Sequence, residues 1–568
     1  MDWQRTLLIG LLAIVSYAMI YTWNQDYGSK QHAASETKLP QSYSQGDTPV
    51  ITESPKGSED LPSVTNSEKQ SLPALVSDAQ SAKKAGGLIR VETDVLSVEI
   101  STLGGDVVSV RLKAYPISIE DKGTPISILA ETAQTTYVAQ SGLAGINGPD
   151  SNAAGRPQYT TDQTEYELKG DHLVVPLHFV DENGVKVTKT FEFAKGSYVI
   201  KNRYDVHNTS SQPWTAAFFA QIKRDNSPDP GVQHTTGFGL PTFLGVAYWS
   251  PEKPYNKEKF DALVKTPLDL KGVTGGWMAI IQHYFLAAWI PDQNQQYDYS
   301  TAAVKGNTIA RIVGHSVTVA PGASQDYQAS LYVGPKIQKT LEALVPGKGL
   351  DLVVDYGPLF FISKILFWLL STFHALTANW GVSIILLTVT IKALFFYPSA
   401  ISYRSMAKMR TVQPALLRLR EQYADDRQKL SQEMMKLYRD NKINPLGGCL
   451  PILIQMPVFL ALYWALLESV ELRQAPFFGW LTDLSVMDPY FILPLIMGGT
   501  MYIQTALNPA PPDPMQAKLM KFMPIIFTVM FLWFPAGLVV YWITNNSLSI
   551  LQQWIITRKI EAEGIKHS

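Results

Sequence analysis

Apolar residues follow three rhythms along this chain. Leu7 to Trp23 is a continuous apolar run behind Arg5. It can be read as a signal peptide, with Ser16-Tyr17-Ala18 as a small-x-small cleavage site, or as an uncleaved anchor. Its aromatic end, Tyr21 and Trp23, is what a helix carries where it settles at a membrane interface, and favours an anchor over residues 1–26. Residues 27–86 are rich in Ser, Gln, Thr, Pro and Lys and too poor in large apolar side chains to build a core, so they read as a disordered tether. From residue 87 to about 350 the rhythm becomes short alternating runs, such as Val95 to Ile100 and Val107 to Leu112, punctuated by Gly104-Gly105 and Asn183-Gly184. This predicts a large all-β domain, a sandwich.

The third rhythm begins near residue 351. Gly357 to Leu376 mixes Phe360, Phe361, Ile365, Leu366, Trp368 and Leu369 with Lys364 and His374, the composition of an amphipathic helix lying in the interface over 351–378. Five apolar runs follow: Trp380 to Tyr397, Leu450 to Leu467, Tyr490 to Leu507, Leu519 to Phe534 and Ala536 to Ile556. With the anchor they predict an α-helical polytopic membrane protein of six transmembrane helices. The run Leu519 to Phe534 is short, about 24 Å against a ~30 Å hydrocarbon core, so local thinning of the bilayer is expected.

Charge fixes the orientation of these spans. The loop between the second and third carries Arg404, Lys408, Arg410, Arg418, Arg420, Arg427, Lys429, Lys436, Arg439 and Lys442, which makes it cytoplasmic. Lys518, Lys521, Arg558 and Lys559 then fall inside, and Glu468, Glu471, Asp483 and Asp488 outside. Both termini are thus expected in the cytoplasm and the β domain on the far side. The basic loop is itself patterned, with Leu416, Leu419 and Tyr423, a turn at Asp425-Asp426, then Leu430, Met434, Leu437 and Tyr438. It reads either as a solvated loop or as a helical hairpin over 401–445 that docks a partner, with Arg418, Arg420, Asp425, Arg427 and Lys429 at its tip.

Composition narrows the function. The 48 basic and 49 acidic residues leave a net charge of -1, without a basic footprint for DNA. The single cysteine, Cys449, rules out an intramolecular disulfide. No phosphate loop or nucleophile elbow is visible, and His172, His178, His207, His234, His283 and His315 lack metal-ligand spacing. No cofactor, no metal and no catalysis are expected.

Lys392 is the informative residue, because a charge inside a span costs roughly 2.5 to 3.5 kcal/mol on insertion scales. None of the five C-terminal runs contains Asp or Glu, so it has no salt-bridge partner there. Either it snorkels to the cytoplasmic interface, ~9 Å along the helix, or it faces a wet cavity between helices. Polar stripes favour the cavity: Thr388 with Lys392 and, seven on, Ser399; Tyr541, Asn545, Ser549 and Gln552; Thr500 and Gln504; and Gln455 near the start of its span. Small polar residues also serve as ordinary glue between helices.

Asn444-Pro445-Leu446-Gly447-Gly448-Cys449-Leu450-Pro451, then Gln455-Met456-Pro457-Val458-Phe459, with Phe522-Met523-Pro524 and Leu532-Trp533-Phe534-Pro535-Ala536-Gly537-Leu538, resembles the YidC/Oxa/Alb family of insertases. The likeness is dense from about Asn379 onward and looser in the β domain, which resembles the β-supersandwich of members from bacteria with two membranes. The resemblance implies an insertase and chaperone of the inner membrane. Its core, 379–568, would be five helices around a groove open to the cytoplasm and lipid, with the β domain in the periplasm. It implies as partners nascent membrane proteins, the Sec translocon and its accessory subunits, the ribosome and membrane lipids. Family members carry an arginine in the groove where this chain has Lys392, which keeps the charge and loses the planar fork. Thr388, Met456, Phe459 and Trp542 fall where the family lines its groove or meets its clients. Two other classes compete: a secondary transporter, which predicts inverted repeats and discontinuous helices, neither of which is found in the sequence, and an anchored sugar-converting enzyme, which needs a carboxylate–histidine cleft in the β domain.

Overall fold

The computed structural model describes residues 60–62, 87–151, 155–229, 242–423, 426–441, 450–508 and 514–565. The expected anchor, most of the tether, Asp425 and the motif at 444–449 lie outside them. The chain divides into a β unit that ends at Val354 and a helical unit that begins at Asp355.

In the β unit an 11-stranded sheet packs face to face on an 8-stranded one. The alternation read from the sequence is what builds them. In the strand Val185–Ala194, Val185, Val187, Lys189, Phe191 and Phe193 turn inward while the residues between them turn outward. A period of two on a pleated strand leaves one face for the core. Two short helices, α1 (Phe260–Lys265) and α2 (Gln338–Leu344), complete the unit. Without a disulfide the sandwich rests on side chains such as Trp277, Trp289, Phe191 and Phe219, each fully buried and worth about 1.5 to 3 kcal/mol.

The all-β expectation holds, but the tether is not wholly apart from it. Asp60, Leu61 and Pro62 lie on the larger sheet, where Arg311 Nη2 donates to the Asp60 carbonyl at 2.6 Å. Composition over a whole segment averages away a three-residue contact.

The helical unit contains α3 (Phe360–Thr377), α4 (Trp380–Leu394), α5 (Phe396–Gln422), α6 (Arg427–Asp440), α7 (Leu450–Glu468), α8 (Ile492–Leu507), α9 (Pro514–Phe531) and α10 (Ala536–Ile565). Asn379 starts α4 by accepting from Val382 N at 3.0 Å, a side-chain cap on an otherwise unpaired donor. Asp488, 1% exposed and three residues before the cap position Phe491 of α8, accepts from Leu493 N in the first turn at 2.7 Å and from Trp480 Nε1 at 2.9 Å. From its sequence context Asp488 was legible only as a marker of orientation. α10 is the hub, packing on α4, α5, α7 and α8. Its buried Val539 and Tyr541 share one apolar core with Leu370, Ile384, Leu387, Leu462 and Leu466. Gly498 lets α8 approach α9, since a Cβ there would meet Thr528 Oγ1 at 2.0 Å.

One sequence expectation changes. The run Trp380 to Tyr397 is not one helix, because the chain bends by 68° between α4 and α5. Pro398 explains the bend: it lacks an N–H for the Leu394 carbonyl and its ring would clash there, whereas it is tolerated in the first turn of a new helix. The bend also takes Ser399 off the straight-helix face it was expected to share with Thr388 and Lys392. Among the described residues only Gly357–Thr377, the segment expected in the interface, is by itself long and apolar enough to cross a membrane. The pair α4 and α5 qualifies only as a broken span, and Ile454–Glu468 and Ile492–Leu507 are shorter apolar helices.

Candidate functional site

Lys392 sits in the last turn of α4, and its side chain runs toward α7 and α10. Its ammonium donates to Ser549 Oγ at 2.7 Å and to Gln455 Oε1 at 3.4 Å, and neither partner is anionic. Gln455 passes the network on: its amide donates to the Asn545 side-chain oxygen and to Tyr541 Oη at 3.3 Å. Ser549 Oγ donates in turn to the Asn545 carbonyl at 2.8 Å. Three helices thus bring Lys392, Gln455, Tyr541, Asn545 and Ser549 into one polar cluster. The stripe on α10 does this by spacing, because residues four apart share a helix face. Its last member, Gln552, binds the Phe396 carbonyl at 3.0 Å and so ties α10 to the start of α5.

Other expected residues fall elsewhere. Thr388 is 1% exposed and donates to its own helix, at Ile384 O, 2.7 Å away, so it belongs to the packed interior. Phe459 lies 5.0 Å ring to ring from Trp542, which also meets Phe531 at 5.7 Å. The Trp542 indole N–H is buried without a hydrogen-bond partner among the described residues. Met456, on α7 one residue after Gln455, is 42% exposed. Thr500 forms a separate contact, accepting from Asn546 Nδ2 at 3.2 Å, and Gln504 lies one turn further along α8, half-buried. Asn546 was missed in the sequence, although an Asn-Asn pair inside an apolar helix is a visible signal.

The basic hairpin is α5 against α6, joined by an apolar seam of Val412, Leu416 and Tyr438 with Met409, Met434 and Leu437 around it. Leu419, Tyr423 and Leu430, which the sequence placed in the seam, are half-buried at its distal end. Asp426 caps α6, accepting from Lys429 N at 2.9 Å. The Lys429 ammonium lies 5.3 Å over the Tyr423 ring, Arg418 is exposed and Arg420 half-buried. Asp425 and the Arg427 side chain lie outside the described residues.

A helical unit with a polar cluster held between apolar helices, attached to a large all-β domain, makes a two-part protein whose relatives act in the membrane. The family described as "YidC periplasmic domain" matches residues 88–369, and the one described as "60Kd inner membrane protein" matches residues 372–563. Membrane protein insertases YidC are similar over the whole length: 52% identical over 569 residues in Pseudomonas syringae pv. syringae and 51% over 570 in Stutzerimonas stutzeri, with 99% of each chain covered. A crystal structure of an active YidC insertase with the first transmembrane domain resolved is similar over 82% of this chain and 94% of that one, at 17% identity and a TM-score of 0.34. A galactose mutarotase-like protein from Lactobacillus casei is similar over 44% of this chain, at 10% identity and a TM-score of 0.31.

The chain belongs to the YidC family of membrane protein insertases. It acts in the inner membrane on membrane proteins, and the activity is not enzymatic.

Proposed function

We propose that the chain lowers the barrier to insertion by offering a translocating segment the polar cluster around Lys392 in place of lipid. The observation that carries this reading is the ammonium held, among the described residues, only by neutral partners. A client carboxylate is attracted to it, and the amides and hydroxyls of Gln455, Asn545, Tyr541 and Ser549 can take up polar groups that hydrocarbon would leave unpaired. As the client's apolar span moves into lipid, hydrophobic transfer drives release, so no nucleotide is needed. Phe459, Trp542 and the exposed Met456 offer apolar surface beside the cluster.

The same reading places six spans in the membrane, both termini in the cytoplasm and the β domain in the periplasm, in accord with the segregation of basic and acidic loops. Domain limits are those drawn from the sequence: 1–26, 27–86, 87–350, 351–378 and 379–568, with the hairpin at 401–445. The hairpin takes the docking role for ribosome-borne nascent chains. The Sec translocon and lipids are the partners within the membrane.

The test is Lys392→Ala and Lys392→Arg against one client with and without acidic residues in its translocated segment. Ala should reduce insertion of the acidic client about tenfold and the neutral one much less, while Arg restores both, because the attraction is one of charge. Equal loss with both clients would overturn the charge role.

A further inference from the structure

On the larger sheet of the β unit, Gln140, Gln221 and Arg311 stand opposite one another on three neighbouring strands, Thr136–Ala144, Trp214–Arg224 and Asn307–Gly314. They form one hydrogen-bonded row. Gln221 Nε2 donates to Gln140 Oε1 at 2.9 Å, and Arg311 Nε donates to Gln221 Oε1 at 2.8 Å. Gln221 is 0% exposed, while Gln140 and Arg311 beside it are half-buried. What covers it is the chain's own Asp60. Its carbonyl accepts from Gln221 Nε2 at 3.0 Å and from Arg311 Nη2 at 2.6 Å, and its carboxylate pairs with Lys223 two residues along the same strand. Pro62 is buried beside it. Burial pushes the Arg311 guanidinium down to about 10, and the Asp60 charge opposes that shift.

One carbonyl is therefore read by two donors and one carboxylate by an ammonium, so the site recognises both the backbone and the side chain of an acidic residue held in a turn. We propose that Gln221, Lys223 and Arg311 form a binding site for an acidic peptide segment, and that the tether's Asp60-Leu61-Pro62 occupies it in cis. A three-residue contact is weak alone. Because the segment and the sheet belong to one chain, the contact is intramolecular, and a competing acidic segment must overcome that local concentration. The occupant in trans is an acidic stretch of another polypeptide exposed on the same side of the membrane.

The test uses the full-length protein in detergent and a fluorescent peptide matching residues 57–64, Gly-Ser-Glu-Asp-Leu-Pro-Ser-Val. Asp60→Lys sets a cation against Lys223 and Arg311 and opens the site. Peptide affinity, read by anisotropy, should then rise at least tenfold over wild type. It should fall at least tenfold in the opened protein on Lys223→Glu, and equally for a peptide with Lys in place of Asp, an arm that leaves the protein unaltered. Equal affinity for wild type and Asp60→Lys, or indifference to the peptide's aspartate, would overturn the proposal. Displacement of the peptide by free hexoses or oligosaccharides at millimolar concentration would overturn it in favour of a carbohydrate site.

Discussion

Lys189 occupies a core position of an otherwise apolar inward face, between Val187 and Phe191. It is 0% exposed and donates to the Gly104 and Ser141 carbonyls at 3.0 and 3.2 Å, with the Tyr204 ring 5.1 Å away. Beside it Arg156 pairs with Asp106 at 2.6 Å and Asp150 at 2.8 Å. Gly104 and Gly105, at φ 72° and 63°, leave room for both side chains, since a Cβ at either would meet Arg156 or Lys189 at under 3 Å. Burial pushes the Lys189 ammonium down to about 7, against the pull of Asp106. A lysine whose folded pKa lies below its unfolded value of 10.5 destabilises the fold while charged, and that cost fades as pH rises from about 7 toward 10. Above about 10, Tyr159 and Tyr204, both raised by burial, reverse the trend. Urea unfolding of the β unit should therefore show stability climbing between pH 7 and 9.5, at up to about 1.4 kcal/mol per pH unit. Lys189→Met should flatten that limb. An unchanged slope would assign it to another group.

The hairpin shows how an element's role depends on a small seam. Leu416 is 6% exposed among Val412 and Tyr438, in a cluster far smaller than a domain core. Leu416→Ala should cost about 2 kcal/mol, the low end for a buried leucine, because so small a site can partly collapse. The expected outcome is faster proteolysis between residues 405 and 440, slower client delivery, and unaltered protection of α4, α7 and α10. If the whole bundle lost protection, the hairpin would be a structural brace. The bend at Phe395 is the other decision at this scale, because it sets the hairpin's first helix off at 68° to the one that carries Lys392.

For the molecule as a whole, insertion without an energy source restricts the clients. Moving a long or highly charged segment past Lys392 and four neutral side chains leaves too many polar groups unpaired, whereas a short, weakly charged one can be accommodated. Depleting the protein should therefore leave small, weakly charged membrane proteins uninserted while exported soluble proteins still cross. Fractionation of pulse-labelled clients checks this, and normal insertion of every client tested would sink the reading.

Periodicity made much of this legible in the chain itself. Alternation specified the β unit, and long, mainly apolar runs specified α7 to α10, because burial on one face or all round is a property of successive residues. The α10 stripe and the isolated charge of Lys392 were legible for the same reason. Three things were not. Which neutral groups receive the ammonium depended on Gln455 and Ser549, 63 and 157 residues away. The break at Phe395 depended on whether Pro398 kinks one helix or opens another, and in the fold it opens α5, whose first carbonyl, at Phe396, is bound by Gln552 of α10, 156 residues away. The seat of Asp60 depended on Arg311, 251 residues along the chain. Local pattern dictates which faces must be buried, and only the folded arrangement brings together partners that share no local sequence.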